Sequence, residues 1–450
     1  MLQRKAYEHL VKWKNTPDKK ALLITGARQI GKTYIIRKFA EENYSNFIEI
    51  NFITNPDAAK IFEGDLNAET ILINLTAYTQ KPLVKGDTLI FFDEIQECPS
   101  ARTAIKFLVD DGQFDYIESG SLLGVRYKEV KSYPVGYEEN YRMYPLDFEE
   151  FATANGIQPQ TIEYLKKCYD NKETITEAVH QSMLKLFQYY IIVGGMPAVV
   201  QKFVDTKDIG EVLKIQKDIL DLYRQDISKY SDNNKEKIKG IFDLIPAQLN
   251  DRNRRFTLSD IKNSARMLRY ETSFNWLADA GVALPCYNIT EPVLPLELNL
   301  QNNLFKLFLC DTGLLCAASM GNIQFDILSG DLSVNMGSIL ENVFAQELVS
   351  NGFLLRYFNK KNIGEIDFIV QKGKSAVPIE IKSGNDYTKH KALDNLIAKQ
   401  SWNINSGIVF CKGNLEIENG ITYYPWYMSM FFKQETLPEH LKVNVDIVNI

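Results

Sequence analysis

Apolar and polar positions follow two different rhythms along the first third of the chain. Short, nearly unbroken apolar runs centre on residues 21–26, 47–52, 88–94, 114–119 and 140–146. Runs of that length between polar or glycine-containing stretches predict strands buried on both faces. Between them the spacing lengthens to the helical period: Ile35, Ile36, Phe39 and Ala40 share one helix face. Alternating strands and helices over residues 1–155 predict an α/β domain, a parallel sheet flanked by helices with its ligand site at the strands' carboxyl ends. Residues 156–234 read mostly as helices, broken at Val193-Gly-Gly-Met-Pro197, where two glycines and a proline require a turn.

The rhythm changes again after the polar segment Asp232-Asn-Asn-Lys-Glu-Lys237, which reads as a linker. Helical patterns at 238–249, from Thr257 onward and at 272–281 precede two strand-like segments, 282–289 and 304–309. Three short helices and a hairpin over residues 235–315 outline a winged helix. Residues 316–450 mix both periods: a helix over 337–348, then strands at 353–358, 365–370 and 376–384. Lys372-Gly-Lys-Ser375 reads as a hairpin turn between the last two.

Candidate chemistry falls where these elements meet. The first strand runs into Gly26, Ala27, Arg28, Gln29, Ile30, Gly31, Lys32 and Thr33, a complete G-x-x-x-x-G-K-T phosphate-binding loop, and a helix follows. Gly26 and Gly31 let consecutive backbone N–H groups converge on one phosphate at the helix N-terminus. Lys32 is placed for the β- and γ-phosphates, and the Thr33 hydroxyl for Mg²⁺. The third run, Thr88-Leu-Ile-Phe-Phe-Asp93-Glu94, ends in two acids. Asp93 is assigned to the metal and Glu94 to general-base activation of water. Ser119 and Ser121, ending the fourth run, either sense a γ-phosphate or close a polar turn.

A second constellation lies towards the C-terminus. If the hairpin centres between Gly373 and Lys374, Asp367 faces Glu380 with β-carbons about 5 Å apart. Two opposed carboxylates repel, and a divalent cation with oxygen ligands would relieve them. Lys382 shares the face of Glu380 and could steady a water attacking a phosphodiester. The same register sets Glu365 against Lys382, so the four residues also read as ordinary cross-strand charges on a solvated face.

Composition narrows the setting. With 45% hydrophobic and 24% charged residues, the 450-residue chain is an ordinary globular protein, long enough for several domains. Its formal charge of −6 excludes a general basic coat for nucleic acid. A local patch survives: residues 235–279 hold nine Lys/Arg against six acids, including Arg252-Asn-Arg-Arg255, and could meet a DNA backbone or serve protein packing. Six cysteines without a C-x-x-C pair read as scattered thiols in a reducing cytoplasm. No signal core and no membrane-length apolar window is seen, so a cytoplasmic protein without membrane contact is expected.

Asp367…Glu380-x-Lys382, preceded by a helical Glu341, resembles the signature of the restriction-endonuclease-like superfamily. That resemblance implies Mg²⁺ on Asp367 and Glu380, joined by Glu341, with Lys382 orienting the water. The N-terminal half resembles the AAA+ superfamily of P-loop ATPases. The whole chain is similar to a group of prokaryotic AAA+ ATPases carrying a C-terminal nuclease-like domain of unknown function. Besides the phosphate loop, the matching stretches are Phe91-Phe-Asp-Glu-Ile-Gln96, Ser119-Gly-Ser121, Tyr144-Pro-Leu-Asp-Phe-Glu-Glu-Phe151 and Gly194-Gly-Met-Pro197. Asp311-Thr-Gly-Leu-Leu315, Glu365-Ile-Asp-Phe368 and Ile379-Glu-Ile-Lys-Ser-Gly384 extend the match into the C-terminal half. The resemblance implies ATP and Mg²⁺ as ligands and a homo-oligomer in which a neighbour donates an arginine finger; Arg102 and Arg126 are candidates. Two readings remain open: an ATPase controlling a Mg²⁺-dependent DNA nuclease, or a nucleotide switch whose C-terminal domains bind DNA or protein without cleavage.

Overall fold

A computed structural model describes residues 2–120, 134–230, 234–250, 256, 270–319 and 336–435. Its first layer is a five-stranded, wholly parallel sheet of β1 (Ala21–Thr25), β2 (Asn46–Asn51), β3 (Thr88–Asp93), β4 (Asp115–Gly120) and β5 (Glu138–Arg142). The spatial order is β2-β3-β4-β1-β5. Thus β4 is inserted between the strand feeding the phosphate loop and the strand ending in Asp93. Helices α1 (Lys5–Lys14), α2 (Lys32–Asn43), α3 (Ala68–Thr79) and α4 (Pro99–Asp111) cover the faces. The expected parallel α/β sheet is observed, with boundaries shifted by a few residues.

Helices α5 (Phe148–Ala154), α6 (Pro159–Asn171), α7 (Glu177–Val193), α8 (Pro197–Thr206), α9 (Ile209–Tyr230) and α10 (Lys235–Asn250) follow. Asp147 caps α5 in a full capping box with Glu150. The 194–197 break sits between α7 and α8, as the glycines and proline predicted. Lys235-Glu-Lys237, read from sequence as linker, opens α10 instead. Its isoleucines at 238, 241 and 245 are buried, and that packing extends the helix through the polar residues.

Beyond lie α11 (Glu271–Asp279), β6 (Ala283–Ile289), β7 (Leu300–Leu309), α12 (Thr312–Ser319), α13 (Met336–Ser350), β8 (Arg356–Lys360) and β9 (Gly364–Ile366). Strands β10 (Phe368–Lys372), β11 (Ser375–Ile381), β12 (Gly407–Cys411), β13 (Glu416–Glu418) and β14 (Ile421–Pro425), with α14 (Lys391–Ile397) before β12, complete the fold. The β6–β7 hairpin is present, but it is no free wing: β6 also pairs in parallel with β8, giving a four-stranded sheet β7-β6-β8-β9. The helix expected from Thr257 and the Arg252–Arg255 cluster lie outside the described residues, as do Ser121 and Arg126. The last sheet is β10-β11-β12-β14-β13, so residues 336–435 form a mixed α/β region.

Candidate functional site

The phosphate loop follows β1 with the backbone its sequence demands. Gly26 has φ +133°, and a Cβ there would stand 2.2 Å from the Met143 carbonyl oxygen. Gln29 and Gly31 are also left-handed, so the chain curls before α2 begins at Lys32. The Lys32 ammonium turns back onto the loop, donating to the carbonyls of Gly26 (2.9 Å) and Ala27 (2.8 Å). Burial pulls its pKa down to about 8, against the opposing charges of Glu94 and Asp93.

Asp93, buried at the end of β3, is the hub. It accepts from the Thr33 hydroxyl (3.1 Å), the Asn51 amide (2.9 Å), the Glu94 N–H (3.1 Å) and the Ser119 hydroxyl. Ser119 therefore reaches the phosphate region through Asp93. Asn51 was not foreseen; it ends β2 directly beside Asp93, a neighbour set by strand order alone. Glu94 follows at φ +54°, and its carboxylate accepts from the Gln96 amide at 2.6 Å.

A cavity of about 740 Å³ opens over this loop, lined by Arg28, Lys32, Thr33 and Glu94 together with Leu2, Arg4, Met143, Pro197 and Leu222. Its size suits a nucleotide. Arg4 clamps the wall, donating to the carbonyls of Ile30 (3.1 Å) and Tyr144 (2.6 Å) and to Glu150 (3.2 Å). From behind, helix α9 reaches the loop: Tyr223 donates to the Arg28 carbonyl at 3.0 Å, and Asp226 pairs with the Arg28 guanidinium. Neither partner carries a local sequence signal.

Arg102 is not available as a finger. It is buried in α4 and bridged to Glu138 at 2.9 Å, with the buried Glu118 beside that pair. Two low-dielectric carboxyl groups keep this cation inside the fold.

Two of the matching segments meet at Asp311. The Gly195 N–H donates to Asp311 at 2.6 Å, and the Leu314 N–H donates to its other oxygen at 3.0 Å. A Cβ on Gly194 would stand 2.3 Å from the Asp311 carboxylate. Burial pushes the Asp311 carboxyl up to about 6. The Gly195 carbonyl accepts from Leu146, whose own carbonyl accepts from Tyr190 at 2.8 Å. Tyr190 lies 2.8 Å from Glu347 on α13, and Glu347 also accepts from the Phe148 N–H at 2.9 Å. Burial, reinforced by the charge of Asp147, raises Glu347 to about 8.

In the C-terminal region the hairpin register is the expected one. Phe368 pairs with Ile379 and Lys372 with Ser375, which carries Asp367 to the level of Glu380. Asp367 accepts from the Ile381 N–H at 2.8 Å, and Glu380 pairs with Lys382 at 2.9 Å. Burial first, then the charge of Asp367, raises Glu380 to about 7. One expectation is corrected. Glu365 does not face Lys382: the chain leaves one sheet for another at Asp367, so Glu365 pairs with Asn359 of β8. Glu341, which the resemblance sets with the two acids, is ion-paired at 3.1 Å with the fully buried Lys306 of β7, and the same lysine reaches Glu365 at 2.7 Å. A lysine already supplies the positive charge there. Among the described residues no group of three or more His, Cys, Asp or Glu side chains is arranged to hold a metal ion.

Comparison with known proteins gives a family match over the segment that holds the first site. Residues 18–152 match the family model of an AAA domain. Residues 184–324 and 336–428 match two domains of unknown function, DUF8612 and DUF4143. The chain therefore carries an AAA+-like ATPase domain followed by two uncharacterised domains. None of the curated proteins compared matches it. Among solved structures it is similar to the Walker-type ATPase PabY2304 of Pyrococcus abyssi, at 13% identity over 71% of this chain and 96% of that one, TM-score 0.40. The Aeropyrum pernix Orc1 protein in complex with DNA gives 14% identity, 74% and 93% coverage and TM-score 0.28. The Thermotoga maritima RuvB Holliday junction branch migration motor gives 14%, 63% and 89%, and 0.28. Likenesses this distant fix neither ligand nor activity.

Proposed function

We propose that the protein binds ATP with Mg²⁺ at residues 26–33 and hydrolyses it. The observation that carries this reading is the meeting of Lys32, Thr33 and Glu94 at one nucleotide-sized cavity, with Asp93 hydrogen-bonded to Thr33. In it, the loop's N–H groups and Lys32 hold the phosphates, and Glu94 accepts the proton of the attacking water. Thr33 and Asp93 are the residues that would hold Mg²⁺; their oxygens already lie 3.1 Å apart. When bound, the ion supplies neutralisation of the phosphate charge. The AAA-domain match supports adenine as the base. Calorimetric titration of ATP with Mg²⁺ into the full chain and into Lys32→Ala tests the reading: affinity should fall steeply in the variant, and unchanged affinity in a folded variant rejects it.

For the C-terminal half we favour a nucleotide-controlled switch over a nuclease. Glu341 is neutralised by Lys306, which leaves two carboxylates rather than three for a cation. The nuclease reading keeps one specific support, Asp367 level with Glu380 and Lys382 beside it. Incubating the full chain with plasmid and single-stranded DNA, with Mg²⁺ or Mn²⁺ and with or without ATP, separates the two. Cleavage lost in Asp367→Ala establishes the nuclease; DNA or protein binding without cleavage establishes the switch. Six free, buried cysteines fit a reducing cytoplasm, and no described helix is long and apolar enough to cross a membrane.

A further inference from the structure

Among the described residues, Arg28 is the phosphate-loop side chain that is ion-paired to a helix from outside the sheet. Helix α9 holds it twice, through Tyr223 on its carbonyl and Asp226 on its guanidinium. The two helix residues are three apart, hence on one face. The arrangement is only partly buried: the Arg28 side chain keeps 21% of its exposure and lines the same cavity as Lys32, Thr33 and Glu94. Lys32, the other cation of the loop, is turned inward on the Gly26 and Ala27 carbonyls.

Asp226 also marks which end of the cavity this is. Burial, then the charge of Glu94, opposes its ionisation, while Arg28 and Lys229 favour it. Arg28 and Glu94 line the same cavity, so the Arg28–Asp226 pair sits at the space that also holds the residue assigned to water activation. A diphosphate brings its charge to the loop N–H groups and Lys32. A third phosphoryl group adds negative charge next to two carboxylates, and Arg28 is the loop cation placed to answer it. A guanidinium fork fits a phosphate as well as it fits a carboxylate.

We propose that Arg28 reads the third phosphoryl group: it exchanges Asp226 for the γ-phosphate when a triphosphate is bound and stays on Asp226 when a diphosphate is bound. Helix α9 loses its ion pair to the loop in the first state and keeps it in the second, while Tyr223 stays on the Arg28 carbonyl in both. Because α9 packs against α8, α10 and α12, the exchange passes from the cavity to the helices behind it. The inference rests on the nucleotide reading above and adds to it a residue that tells triphosphate from diphosphate.

The test is calorimetric titration of the full chain with Mg²⁺ and either ADP or a non-hydrolysable ATP analogue. Asp226→Asn keeps the shape of the latch and removes its charge, so the preference for triphosphate should rise about fivefold. Arg28→Ala should lower that preference by about tenfold while ADP affinity stays within about threefold. Hydrogen exchange along residues 209–230 should increase with the triphosphate analogue alone, and not in Arg28→Ala. Equal loss of both nucleotides in Arg28→Ala makes the residue a loop scaffold and overturns the proposal. A ratio unchanged in Asp226→Asn overturns it too, even if Arg28→Ala fails to fold. Wild-type protein that binds neither nucleotide overturns the nucleotide reading and this one with it; a wild type that binds both, with a ratio neither variant alters, overturns this one alone.

Discussion

The Thr33 hydroxyl lies 3.1 Å from the Asp93 carboxylate, bridging the end of the phosphate loop to the end of a strand two places away in the sheet. That contact depends on β4 being the spacer between β1 and β3. It puts a neutral and an anionic oxygen side by side, a pairing suited to a hard cation. Asp93→Asn should therefore remove most of the Mg²⁺ dependence of nucleotide affinity while leaving the metal-free affinity within a few fold. Titrations with and without Mg²⁺ check this. A full Mg²⁺ response in the variant would place the ion elsewhere.

Glu94→Gln should separate binding from turnover. The amide keeps the size of the side chain but cannot accept a proton, so affinity should hold while hydrolysis falls by about 10²-fold or more. Parent-level turnover, measured by phosphate release, would strip Glu94 of the general-base role.

Stability should fall as pH rises from 5 to 8. Asp311, Glu380 and Glu347 have pKa values raised to about 6, 7 and 8, chiefly by burial. Unfolded, they ionise near the ordinary carboxylate values of about 4. Between the unfolded and folded values the native state holds the extra protons, so each pH unit favours unfolding until the folded value is passed. The melting temperature should be higher at pH 5.5 than at pH 8.5. Glu347→Gln, which cannot ionise and can still accept from Phe148, should flatten the slope above pH 6. An identical slope in the variant would show that Glu347 is ionised in the fold.

Lys306→Met leaves Glu341 as a buried carboxylate without its cation, at a cost of about 3–5 kcal/mol. Adding Glu341→Gln should recover a large part of that loss. Urea denaturation of the full chain at pH 7 measures both. If the single variant is as stable as the wild type, the Lys306–Glu341 pair is not what neutralises this site.

The sequence made some of this plain and hid the rest for a physical reason. The phosphate loop is legible because a glycine at φ +133° and a lysine on its own loop's carbonyls are consequences of eight adjacent residues. The Asp367–Glu380 level is legible because a two-residue turn fixes the register of a hairpin. Lys306 was invisible: nothing local marks a lysine of β7 as the partner of a glutamate 35 residues on. Nor does any local pattern show that the strand carrying Glu365 leaves its sheet two residues later. Asn51, Arg4 and Asp226 belong to the same class, positioned by strand order and helix docking rather than by periodicity.

The aromatic rings of the core carry a consequence for how the molecule comes apart. Phe148 of α5 meets Phe187 of α7 edge-on at 4.9 Å; Phe187 meets Phe344 of α13 and Trp426, and Phe344 lies 4.8 Å from Phe410 of β12. A single apolar cluster runs from Ala6 to Phe432, crossing all three family segments. The borders that sequence families draw on this chain are therefore not borders of cooperativity. Cutting at residue 152 or 336 would bare rings on both fragments, and the halves should melt together as one unit, the ATPase end failing whenever the C-terminal end does.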